Sequence, residues 1–126
     1  MSDHKHFVDV NVISHYQESQ SDEELGRYVF VYNVTITNCS TEPVQLLSRH
    51  WIITDGNGEV REVRGEGVVG LQPTLQVGDV YQYTSGAVLA TDVGTMEGSY
   101  GMVSDSGEEF DAPISPFLLA RRKALH

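Results

Sequence analysis

The chain has 126 residues, with 18 acidic against 8 basic side chains and a formal net charge of −10. That balance opposes nucleic-acid binding, because affinity for a phosphate backbone comes largely from Lys and Arg. No stretch approaches the ~18 apolar residues of a membrane-spanning helix. The lone Cys39 excludes an intramolecular disulfide.

A chain of this length is expected to form one domain, 1–126, and to bury enough surface to fold without a disulfide or a metal. The N-terminal residues show no basic segment followed by an apolar core, so a cytoplasmic location is expected.

Strand signals dominate from the start. Val8, Val10 and Val12 alternate with Asp9 and Asn11, the period-two pattern of a strand with one buried face. Glu18 to Gly26 is polar and reads as a loop. Tyr28 to Asn38 is the clearest strand, with Phe30, Tyr32, Val34 and Ile36 on one face and Asn33, Thr35 and Thr37 on the other. Asn38 to Pro43 is a turn by composition.

Val44 to Thr54 is the next strand and carries Trp51. Asp55-Gly56-Asn57-Gly58 is a hairpin signal, since Asn and Gly tolerate the positive φ of a tight turn. Glu59 to Arg64 returns as a charged edge strand, a composition that discourages edge-to-edge aggregation. Further strands follow at Val80–Thr84, at Met96–Met102 and at Phe110–Ile114, separated by polar turns. No segment sustains a helical period. The pattern reads as an all-β sandwich or barrel, and a sandwich of about seven strands is predicted. Trp51 on a central strand invites comparison with the buried Trp of immunoglobulin domains, in architecture only, because the partner disulfide is absent. Tyr100 and Phe110 join Val8, Val10, Val12 and the Phe30–Ile36 set in the expected interior.

Gly65-Glu66-Gly67-Val68-Val69-Gly70 matches the spacing G-x-G-x-x-G. In dinucleotide-binding proteins that spacing works because a helix follows, and its first-turn N–H groups hold the pyrophosphate. Here Leu71-Gln72-Pro73 follows, and Pro73 removes a donor and disfavours helix at Gln72. Two readings remain. Gly65, Gly67 and Gly70 supply backbone angles that other residues adopt at a cost. Alternatively, the loop is a phosphate nest neutralised by Arg61 and Arg64.

Metal and catalytic readings are weaker. Asp55, Asn57, Glu59 and Glu66 fall at positions one, three, five and twelve of an EF-hand-like loop, but Val60 stands where the turn glycine is required. No metal site or other cofactor is expected. His4 and His6 offer only adventitious ligands. Ser48 and His50 share the strand face opposite Trp51, without an acid or oxyanion hole nominated by the sequence. His50 is therefore expected to be a hydrogen-bonded structural residue, and no catalytic residue is expected. Cys39 has no neighbour that would activate a thiol.

Several motifs run in order along the chain: Leu46-Leu47-Ser48-Arg49-His50-Trp51, Val63 to Gly70 with Gln72-Pro73, and Tyr83-Thr84-Ser85-Gly86. Gly94 to Tyr100 and Pro116-Phe117-Leu118-Leu119-Ala120 continue the series. Together they resemble the ApaG family. One departure is Asp92, where that family pattern has proline.

The resemblance implies a fibronectin-type-III-like β-sandwich. It also implies an association with cobalt resistance and magnesium efflux, and a kinship with protein-interaction domains. It implies no catalytic residues. The leading expectation is a non-enzymatic protein-binding module. A nucleotide- or pyrophosphate-binding protein using Gly65, Gly67, Gly70, Arg61 and Arg64 is the alternative. The identity of a protein partner and the oligomeric state are left open.

Overall fold

A computed structural model describes residues 7–121. It is a sandwich of two antiparallel sheets. The strands are β1 (Val8–Tyr16), β2 (Tyr28–Asn38), β3 (Val44–Asp55) and β4 (Val60–Glu66), then β5 (Thr74–Leu75), β6 (Val80–Leu89), β7 (Val93–Ser104) and β8 (Glu109–Ala120). One sheet has the order β1-β2-β6. The other has the order β4-β3-β7-β8, with β5 also paired to β3.

The expected architecture is therefore present, with the two-residue β5 as the strand that periodicity did not show. The strands at the C-terminal end also run further than alternation suggested, because β6 continues to Leu89 and β8 to Ala120. Between β1 and β2 the chain makes two short 3-10 turns, Glu18–Gln20 and Glu23–Leu25.

Alternation becomes burial as anticipated. Val8, Phe30, Tyr32, Val34, Ile36 and Tyr100 are buried, and Val10, Val12 and Phe110 are half-buried against the same core. Trp51 is buried at the centre, edge-on to Tyr32, Tyr100 and Phe117. Edge-to-face contacts of this kind add about 0.5–1.5 kcal/mol each beyond area burial.

Asn38 is fully buried at the end of β2. Its Nδ2 donates to the carbonyls of Glu42 and Leu75, and its Oδ1 accepts from the backbone and hydroxyl of Ser40. A residue that composition placed in a turn thus organises that turn from inside the core.

Two irregularities position the functional end of the molecule. The register of β3 on β7 shifts between Leu46 and Ser48. Before this bulge Val44 and Leu46 face the core; after it Trp51 and Ile53 do. A bulge changes which parity points inward, so Arg49 falls on the inner face beside Trp51.

The second feature is at the sheet edges. β6 ends one sheet and β4 ends the other. The segment after β4 packs into the opening between them, and its Val68 side chain is fully buried.

Candidate functional site

Gly65 and Glu66 complete β4, and only Gly67 to Gly70 leave the strand. Gly67, Val69 and Gly70 have φ of 67°, 48° and 79°. Val68 and Leu71 exchange both backbone hydrogen bonds, at 2.8 and 3.0 Å. This is a two-residue hairpin turn with positive φ at both central positions, the geometry that usually selects Asn-Gly. Here the pair is Val69-Gly70. Val69 is the one non-glycine residue with positive φ among the described residues. The residue is 66% exposed, and Leu71 is 57% exposed.

Three of the loop's amides are already engaged. The Gly67 amide donates to the Leu47 carbonyl, and the Val68 and Leu71 amides are engaged in the turn. What converges is carbonyls. Arg49 Nη1 donates to the carbonyl oxygens of Glu66 and Gly67, each at 3.0 Å.

Arg49 is half-buried and forms no ion pair with any described carboxylate. It stands near the hydroxyl ends of Tyr32, Tyr83 and Tyr100, close enough for its charge to favour their ionised forms. Desolvation outweighs it and raises all three tyrosine pKa values. The hydroxyls of Tyr83 and Tyr100 are hydrogen-bonded to each other.

A cleft of about 410 Å³ opens over this arrangement. Tyr32, Thr84 and Ser85 contribute from one sheet, Arg49 and Trp51 from the other, and Val69 from the loop rim. Glu66 also borders it.

The residues expected to cooperate are only partly brought together. Of the three glycines only Gly70 lines this cleft; Gly65 lies in β4 beneath the Arg49 guanidinium, and Gly67 opens the turn. Arg61 lies at the far end of β4, where its Nη2 donates to the Val88 carbonyl at 3.0 Å and ties the two sheet edges. Arg64 lies opposite His50, on the outer face, 3.5 Å from Glu62. Neither arginine lines the cleft.

Arg49 is the cation that does, and sequence reasoning passed over it. Its place on the same face as Trp51 was legible, since residues two apart on a strand share a face, but which face turns inward was not.

On the outer face His50 Nε2 bonds Glu62 at 2.9 Å, which holds the Glu62 carboxyl below its ordinary range. The bonded partner of the ring is Glu62 and not Ser48, in keeping with a structural histidine.

The acidic series is dispersed as well. The Asp55 carboxylate accepts from the amides of Asn57 and Glu59 and so caps the hairpin. Glu66 lies at the other end of β4. Among the described residues no cluster of His, Cys, Asp and Glu is arranged to hold a metal ion. His4, His6, Arg122 and Lys123 lie outside the described residues. Arg121 is described, and pairs with Glu23 and Asp92.

Comparison with known proteins agrees with this fold. The family model described as the ApaG domain matches residues 18–104. Protein ApaG of Azotobacter vinelandii is 56% identical over 126 residues, with both chains covered in full. Protein ApaG of Dechloromonas aromatica is 54% identical over 127 residues, again with full coverage of both. The crystal structure of a candidate ApaA protein from Bordetella pertussis superposes with a TM-score of 0.90 at 50% identity, covering 93% of this chain and 95% of that one.

Proposed function

The chain belongs to the ApaG family, and from that premise we propose that it is a non-enzymatic module that binds another protein in the cytoplasm. The observation that supports this reading is Val69. A β-branched residue in the left-handed region is unfavourable by roughly 1–2 kcal/mol relative to glycine, and its side chain is largely exposed to water. Fold stability favours neither feature, whereas an apolar contact with a partner accounts for both. Leu71 extends the same rim.

In this reading, any link to cobalt resistance or magnesium efflux runs through the partner and not through an ion held by this chain. The test is a photo-crosslinking side chain at position 71, with position 35 on the opposite outer face as the control. A discrete protein adduct from 71 and none from 35 is the expected result. Equal adducts from both positions, or none from either, would reject the reading.

Nucleotide or pyrophosphate binding through Gly65, Gly67 and Gly70 is the second reading. Its support is the cationic Arg49 beside the loop rather than Arg61 or Arg64. Against it stand the engaged amides of Gly67, Val68 and Leu71. Thermal stabilisation by pyrophosphate without any protein adduct would favour it.

A further inference from the structure

We propose that the Arg49 cleft is a receptor for a carboxylate on an extended segment of the partner protein, with an apolar neighbour of that carboxylate resting on Val69. This rests on the protein-binding reading above and names the chemistry of the partner.

The argument starts from an uncompensated charge. A guanidinium withdrawn from water needs hydrogen bonds and a counter-charge. Arg49 has the first in part, because Nη1 alone serves the Glu66 and Gly67 carbonyls. The remaining guanidinium donors have no described acceptor, and no described carboxylate pairs with the side chain. Beside it stands Ser85 on β6, whose hydroxyl can donate to an anion without neutralising the cation, and the rings of Tyr32 and Trp51 wall the cleft; the Thr84 hydroxyl is already engaged with Asn33. Arginine is suited to such a place because its fork donates two parallel bonds to a carboxylate.

The charge count selects a monoanion. One unpaired cation faces the cleft, and Glu66 borders it. A carboxylate leaves the site neutral apart from Glu66. A phosphate dianion or a pyrophosphate would meet the same single cation with an excess of negative charge beside a resident carboxylate.

The rim supplies the second contact. Val69 borders the cleft that Arg49 floors, so one ligand segment can reach both. The cleft volume of about 410 Å³ lies within the range typical of small-ligand sites and accommodates a side chain or two rather than a folded surface.

The experiment is selection of random linear peptides from a display library on the full-length protein, with binding of the selected peptides measured by titration. Selected peptides are expected to share an acidic residue next to an apolar one, and to shift the resonances of Val69 and Ser85. Replacing the acidic residue by its amide should weaken binding at least about tenfold, equivalent to about 1.4 kcal/mol. Val69→Asn should weaken it comparably while folding at least as well as the parent, so that loss of binding is not loss of structure.

Peptides that bind elsewhere on the surface would overturn the cleft assignment and leave the protein-binding reading standing. Failure to select any peptide would overturn both. Pyrophosphate displacing the peptides at lower concentration than they bind would replace the carboxylate with a phosphate ligand.

Discussion

The guanidinium of Arg49 stands over Gly65 where any side chain would be. A Cβ on residue 65 would lie 2.6 Å from both Cζ and Nη2 and 2.7 Å from Nη1, so the group presents its face to the glycine. The two residues are also cross-strand partners. Gly65 is therefore glycine because of what packs on it, and not because of its backbone angle.

Gly65→Ala should displace Arg49 from the Glu66 and Gly67 carbonyls and destabilise the fold by about 1 kcal/mol, the net scale of a hydrogen bond, because the group that gives way is the far end of a flexible side chain. In an Arg49→Ala background the same change should be close to neutral. A double-mutant cycle by urea denaturation measures this coupling, and additive effects would contradict it. Gly67→Ala should cost more than Gly65→Ala, because a Cβ there would meet the Leu71 backbone carbonyl oxygen at a residue with φ of 67°.

Val69→Asn should stabilise the protein by about 1 kcal/mol, since Asn adopts the left-handed region with little penalty. A rise in melting temperature records the gain. An unchanged or lower value would show that valine is not strained there.

Trp51→Ala should destabilise by roughly 3–5 kcal/mol through the lost transfer energy and the cavity left among Tyr32, Tyr100 and Phe117. Equilibrium denaturation is the measurement, with an effect under about 1 kcal/mol inconsistent with burial.

Asn38→Asp should be among the most damaging single-atom changes. The carboxylate oxygen that replaces Nδ2 would face the carbonyls of Glu42 and Leu75, leaving a buried charge against two acceptors. A loss of about 3 kcal/mol or more is expected, read from the denaturation midpoint.

The tyrosine pair gives an alkaline limit. Burial, first among the causes, raises the Tyr83 and Tyr100 pKa values above the ordinary 10.0. The neutral forms are thus favoured in the fold, so their contribution to stability is complete below the unfolded pKa near 10. It declines as pH rises beyond that, because the unfolded chain then binds fewer protons. The slope is about 1.4 kcal/mol per pH unit for each tyrosine. Tyr83→Phe should reduce that slope by one proton's worth, as measured by denaturation across the alkaline range.

Periodicity by itself determined the all-β class and the strand faces of β1 and β2, and turn chemistry marked the hairpin at Asp55 to Gly58. These are local properties: with a period of two, apolar residues on one face dictate which side turns inward. The sequence also showed that Pro73 disfavours a helix after Gly70.

Only the tertiary structure decided the rest. The bulge at Leu46 to Ser48 arises from pairing with β7, a contact with no local signature, and it sets Arg49 on the inner face. The placement of Arg61 and Arg64 away from the cleft follows from the register of β4 on β3. Tyr83 meets Tyr100, and the loop closes the gap between β4 and β6, only once two sheets stack. Each of these pairs residues distant in the chain, and the free energy that selects them comes from packing and from satisfying buried polar groups rather than from any segment's own preference.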